Sequence, residues 1–524
     1  MLTHIGKRFF VSGSRAFRSK LFRMTMRCMS SDVQKAHHDY SIKPTEELKQ
    51  FSKAPIMDNY GELKFGEIPE PLKYVRPFNQ TTLSNGIRVC TEKSSSPLAA
   101  VGVFVKAGSR NETLETSGVA FMLERLLLKG TGSRTANGLV SEIENMGGVY
   151  EAKTKREITS HTLKVFKDDV GKAVEILADM ISNPLLNESA FEAEKETVSQ
   201  IHENNHKEYE RTTLQAGHFT CFREHMIGQP SRGDRDNLSA LKIEQVRQFH
   251  LDFYTGENLV VVASGNVNHE DVVKAVETHF ASLPKSSGAT TPNSERPVFT
   301  PSLLFVRDDG MINSNCAVFY DAPGVKHPDY YGFELLKRIF GTYRLQKNSE
   351  HINDSIKQYN SLHTLLGDLP DVTVHNSHYW AYSDCGIFGN YFFGNEIFTR
   401  QMTYCGMALN TIYGHFMNDV EVSRARNAFY NELLATDNVV STLHDIAPQI
   451  FYWGRRVPRS EVAKRIAHFD AYHMKNLCYE WFYDAEPSVV NWGPVESTAS
   501  CGSYKYYKIH TLSTVTNHHH ALYT

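Results

Sequence analysis

A chain of 524 residues is too long to fold around one ordinary core, so two or more domains are expected. Its 41% hydrophobic and 22% charged content is that of a folded globular protein, and a formal net charge of −3 with a pI near 6.8 gives no electrostatic reason for nucleic acid or an anionic membrane surface as partner. No run reaches the roughly 18 uninterrupted apolar residues of a spanning helix. The densest, Asn258-Leu-Val-Val-Val-Ala263, has the length of a buried strand. The eight cysteines stand singly, without a CxxC pair, and so read as free thiols rather than a disulfide framework or a zinc ribbon.

In chain order, residues 1–31 hold seven Lys or Arg and no Asp or Glu, interleaved with Phe9, Phe10, Val11, Phe17, Leu21 and Phe22. A basic, acid-free amphipathic stretch is what mitochondrial import reads, so a targeting segment is expected, a disordered basic tail being the plainer alternative. Residues 32–75, with Pro44, Pro55, Pro69 and Pro71, read as an extended arm. Thr81 to Val89 reads as strand, Asn85-Gly86 turn and strand, and Ala99–Ala107 as a further strand. Helical periodicity follows over Gly118–Leu128, Thr135–Met146 and Asp168–Ile181, with a strand pair across Tyr150–Phe166 between the last two. Glu188–Glu210 reads as one long charged helix, Leu259–Ser264 as a strand and Glu270–Leu283 as a helix.

Residues 284–298 are a linker by composition, rich in Pro, Ser, Thr and Gly. Beyond it the order of elements repeats. Val318-Phe-Tyr-Asp-Ala322 echoes Val103-Phe-Val-Lys-Ala107, Tyr331–Phe340 is again a helix, and Val422–Trp453 resembles Phe191–Phe222 in being a long polar helix that passes into a second, more apolar one. The chain therefore reads as α+β, a tandem duplication with an N-terminal domain at 76–283, a C-terminal domain at 299–511 and a tail at 512–524. An insert over about 343–370 shows no clean periodicity.

The string Ser117-Gly-Val-Ala-Phe121-Met-Leu-Glu124-Arg125, flanked by Ala107-Gly-Ser-Arg110 and Glu144-Asn-Met-Gly147, resembles the M16 family of inverted zinc peptidases. The resemblance runs over about residues 78–511. The late strings Tyr452-Trp-Gly-Arg-Arg-Val-Pro458 and Trp492-Gly-Pro-Val-Glu496 point to the branch that holds processing peptidase β subunits and core proteins 1 of the cytochrome bc1 complex. It implies two M16-like α/β sandwich domains, each a mostly antiparallel sheet packed with helices. In active members a helix presents His-x-x-Glu-His, because positions i, i+3 and i+4 share one face and let two imidazoles hold Zn²⁺ while the Glu works on the bound water. Here the His positions are Phe121 and Arg125, and only Glu124, the base position, is kept. The third ligand of the family, a Glu about 76 residues on from the second His, falls at Ile201. Phe and Ile offer no lone pair and Arg stays protonated, so the resemblance implies a degenerate zinc site, with no cofactor. Charge balance suggests Glu194, two helical turns before Ile201, as the partner of Arg125. The family's substrate strand reads Glu151-Ala-Lys-Thr-Lys-Arg-Glu157 here.

One forward zincin motif, His202-Glu203-Asn-Asn-His206, stands as a rival, with Glu224 as a conceivable third ligand. Its neighbours Asn204, Asn205, Lys207 and Glu208 make a solvated face rather than the dry frame a catalytic metal needs, so it reads as a decoy. The function implied is a non-catalytic core subunit of the respiratory bc1 complex, on the matrix side of the mitochondrial inner membrane. Its partners would be a homologous M16-like subunit (core protein 2 or processing peptidase α type), cytochrome b, cytochrome c1 and the Rieske subunit, which would also hold it at the membrane. The alternative is a processing peptidase β-like subunit that assists presequence cleavage.

Overall fold

The computed structural model describes residues 68–205, 208–289, 294–344, 372–395, 402–403, 417–435, 438–483 and 485–494, with Ile56 and Gly406. The expected targeting segment, most of the arm, most of the 343–370 insert, His206 and the tail lie outside the described residues.

The first half opens with a short helix α1 (Glu70–Lys73) and strands β1 (Phe78–Thr82), β2 (Arg88–Lys93) and β3 (Leu98–Val105). Helices α2 (Val119–Leu126) and α3 (Ala136–Asn145) lead to the hairpin β4 (Val149–Thr154) and β5 (Thr159–Phe166). Then come α4 (Val170–Ser182), α5 (Glu188–Asn205), α6 (Tyr209–Phe222), α7 (Arg235–Ala240), α8 (Ile243–Phe253), β6 (Leu259–Gly265) and α9 (His269–His279). The six strands form one sheet in the order β1-β2-β6-β3-β5-β4. Only the β2–β6 pair is parallel, with Cys90 opposite Val262.

The second half repeats this plan. Its described strands are β7 (Leu303–Arg307), β8 (Asn313–Ala322), β9 (Thr342–Arg344), β10 (Val372–Ala381), β11 (Gly386–Asn395) and β12 (Ser488–Gly493), in the order β7-β12-β8-β11-β10-β9. Again one pair, β7–β12, is parallel. Its described helices are α10 (Tyr330–Phe340), α11 (Asp419–Ala435), α12 (Val439–Trp453), α13 (Arg459–Ala467) and α14 (Ala471–Phe482). The strand echoed in sequence is the same structural strand in both halves: β3 lies between β6 and β5, as β8 lies between β12 and β11.

Apolar strands such as Val260, Val261 and Val262 are buried on both faces, so each sheet needs two covers. One cover is local. Val101, Val103 and Val261 pack with α2, α4, α8 and α9 residues such as Leu123, Leu177, Val246 and Val276. In the second half Phe333 and Phe340 of α10 meet Phe388 of β11 edge-on. The other cover is exchanged between the halves. Leu443, Ile446 and Ile450 of α12 pack on Phe104, Val260 and Val262 of the first sheet, while Cys221 and Phe222 of α6 pack with Ala317, Phe319 and Val490 of the second. Gly217 makes this close approach possible, since a Cβ there would stand 2.1 Å from the Phe319 ring.

The helix expected over Glu188–Glu210 runs from Glu188 to Asn205, and Tyr209 and Glu210 open the next one. The chain forms α5 and then α6, because α5 serves the first half and α6 the second sheet. The run Val422–Trp453 divides, as expected, into a polar helix α11 and a more apolar α12. Ion pairs stitch the halves together: Arg110, which also meets Glu157 of its own half at 2.8 Å, meets Asp384 at 2.6 Å, and Arg456 meets Glu92 at 3.0 Å.

Candidate functional site: a peptidase-type helix without metal donors

Helix α2 starts where its backbone is held by a buried carboxylate. Glu112 accepts from Gly118 N at 2.9 Å and Ala120 N at 2.8 Å, filling two of the donors a helix N-terminus leaves open. Gly118 enters the helix at φ +97°, a conformation that favours glycine, with the Gly233 backbone against it. Burial pushes the Glu112 carboxyl up to about 8, against the pull of these two N–H groups.

From this start Phe121, Glu124 and Arg125 share a face. Phe121 is buried, with the Arg232 guanidinium 5.5 Å from its ring centroid. Glu124 Oε2 accepts from Thr154 Oγ1 of β4 at 2.5 Å. Burial raises the Glu124 carboxyl above its ordinary range, opposed by Thr154, Arg125 and Arg232. Arg125 Nε lies 2.5 Å from Glu194 Oε2 on α5, and Lys129 Nζ lies 2.5 Å from Glu194 Oε1. Burial alone would raise the Glu194 carboxyl, yet Lys129 and Arg125 together hold it below its ordinary range. Ile201 is half-buried further along α5.

These residues do not fit zinc. The three ligand positions present a phenyl ring, a guanidinium and a hydrocarbon, and the guanidinium is committed to a carboxylate. Among the described residues no three His, Cys, Asp or Glu side chains are grouped to hold a metal ion.

In the forward motif, His202 is half-buried, while Glu203 is exposed and pairs with Arg235 at 2.8 Å. Glu224 stands exposed beyond the far end of α6, and His206 is outside the described residues.

Sequence reasoning missed two features. Lys129 joins Arg125 on Glu194, although its i+4 spacing from Arg125 carried the signal. A cavity of about 610 Å³ between α6 and β10 carried none, because it brings together Arg156, Glu208, Glu210, Arg211, His378 and Trp380 from distant parts of the chain. Both carboxylates there are engaged. Glu208 pairs with Arg211 at 3.5 Å, and Glu210 accepts from Asn376 at 2.6 Å with His378 Nε2 3.4 Å away.

A helix carrying Phe121, Glu124 and Arg125 on one face, over a six-stranded sheet that recurs in a second half, is the architecture of a metallopeptidase-type fold. The family model for insulinase, peptidase family M16, matches residues 88–235, and that for the M16 inactive domain matches 240–397. The chain belongs to peptidase family M16. It is 30% identical over 435 residues to the mitochondrial-processing peptidase subunit beta of Blastocladiella emersonii, covering 82% of this chain and 91% of that protein. It is 28% identical over 436 residues to the mitochondrial cytochrome b-c1 complex subunit 1 of Bos taurus, covering 82% and 88%. The fold is shared with a chain of Complex III2 from Candida albicans, Inz-5 bound, at a TM-score of 0.72 and 21% identity, covering 82% of this chain and 99% of that one. It is shared too with a protease from Helicobacter pylori, at 0.68 and 19%, covering 80% and 100%.

Proposed function

We propose that this chain is a non-catalytic core subunit of the mitochondrial bc1 complex, peripheral to the inner membrane on its matrix side. The observation that carries the reading is the state of α2 and α5: Phe121, Arg125 and Ile201 stand at the ligand positions, with Arg125 and Lys129 on Glu194. The similarity to cytochrome b-c1 complex subunit 1 supports the assembly, and the basic, acid-free stretch at 1–31 supports the mitochondrion. Among the described residues no helix is long and apolar enough to cross a membrane, so attachment would come through cytochrome b, cytochrome c1 and the Rieske subunit, with a homologous M16-like chain of the core protein 2 or processing peptidase α type as direct partner.

The second reading, a processing peptidase β-like subunit, is favoured by an equally close set of relatives. Against it stand the residues at the ligand positions, Phe121, Arg125 and Ile201, which give zinc no donor. Metal analysis and native mass on gently purified mitochondrial protein separate the two. Zinc-free protein that migrates with cytochromes b and c1 is expected. One zinc per chain, lost in His202→Ala, would make the chain a protease instead.

A further inference from the structure

The two sheets differ at one edge. In the first, β2 runs parallel to β6 and is covered on its outer side by antiparallel β1, with Phe78 opposite Glu92 and Thr82 opposite Arg88. In the second, β7 runs parallel to β12 in the place of β2, and among the described residues no strand lies outside it. The chain before β7 does not fold back to fill that place, because α6 holds it: Thr300 N donates to Cys221 O and Ser302 Oγ to Thr220 O, each at 2.8 Å. Ser302 O and Asp308 N are spent on β12, so the alternation of a strand turns the N–H and C=O of Leu303 and Phe305 outward. The strand Leu-Leu-Phe-Val-Arg holds no Pro or Lys to guard this edge, and its pairing with β12 runs without a bulge. Around it, Val298 (76%) and Ile312 (83%) are the two most exposed large apolar side chains among the described residues, and Phe305, itself 41% exposed, lies midway between them in sequence.

We propose that the outer edge of β7 is a docking surface for a second copy of this chain, the two β7 strands pairing antiparallel across a two-fold axis at Phe305. The edge is its own complement in that register. Phe305 exchanges both backbone hydrogen bonds with the partner's Phe305, as the outward turn of its N–H and C=O requires. Val298 comes to the end where the partner's Ile312 stands, so the exposed apolar residues cover one another. No like charges are opposed, since Arg307 lies opposite the partner's Leu303 and Asp308 opposite the partner's Ser302. A surface that meets itself closes as a dimer rather than growing into a filament. The pairing depends neither on the loss of zinc nor on the assembly proposed above.

Sedimentation equilibrium of the purified full chain, with amide exchange on the same samples, tests it. Twice the chain mass at micromolar concentration is expected, with slow exchange at Leu303 and Phe305. Phe305→Lys sets two like charges opposite each other at an exposed position, and should weaken the dimer by about tenfold or more while leaving the circular dichroism of the chain unchanged. Should that variant lose its fold, Phe305→Cys decides instead. The Cα atoms of such a pair stand about 5.5 Å apart, within reach of a disulfide, so mild oxidation should cross-link the variant and not the wild type. A monomer at every concentration, a dimer that a folded Phe305→Lys leaves as tight, or a Phe305→Cys chain that does not cross-link overturns the proposal. A monomer whose Leu303 and Phe305 amides exchange slowly overturns it as well, and gives the edge to another segment of this chain.

Discussion

A single buried carboxylate, Glu194, serves two cationic side chains. Glu194 is buried and its folded pKa lies below its ordinary 4.5, because Lys129 and Arg125 outweigh burial. A folded pKa below the unfolded one means that the group stabilises the fold above the ordinary value and that this contribution is lost as pH falls through the lowered one. Glu194→Gln is therefore expected to cost about 1–3 kcal/mol at neutral pH, a figure kept modest because both cations are partly exposed. Denaturant melts should show the wild type losing stability below pH 4.5 more steeply than the variant. Parallel curves would mean that the cations act on Glu194 through packing rather than charge. The triad Phe121, Glu124 and Arg125 was legible because three local positions on one helix fix a face. Arg125 and Glu194 could be matched by charge alone, and in the structure they sit 2.5 Å apart. Arg232 was not legible, since nothing local places it over Phe121.

At the scale of the element, α2 depends on how it begins. Glu112 is the acceptor for Gly118 N and Ala120 N, and an amide in its place would turn an NH₂ toward one of those donors. Glu112→Gln is expected to cost about 1–3 kcal/mol, with faster amide exchange concentrated in Val119–Leu126. The sign with pH is opposite to that of Glu194. The Glu112 folded pKa is raised from 4.5 to about 8, so between these values the folded state holds a proton the unfolded state has released. This part of the stability falls as pH rises through that window, and Glu112→Gln should flatten it. The helices that cross between halves teach a different lesson. Their apolar residues were visible in sequence, but which sheet they cover was not. Gly217 of α6 sits against Phe319, about a hundred residues further on, a contact that no local periodicity reports.

At the scale of the molecule, the exchange of α6 and α12 makes each half incomplete alone. Without the second half, Phe104, Val260 and Val262 lose the cover given by Leu443, Ile446 and Ile450, while Cys221 and Phe222 lose the sheet they pack against. Both losses expose contiguous apolar surface, the condition for aggregation. Arg110 and Glu92 would lose Asp384 and Arg456 at the same time, weakening two buried ion-pair clusters. Residues 76–283 produced alone are therefore expected to be insoluble or loosely packed, and to be rescued as a 1:1 assembly when co-expressed with residues 299–524. A protease site placed within 284–298 gives the sharper measurement. Cleavage there should leave one native particle on size exclusion with a single unfolding transition, because contacts across the halves rather than the linker hold them together. Two separately folded pieces after the cut, or a half that melts cooperatively by itself, would show that each sheet can do without its borrowed helix.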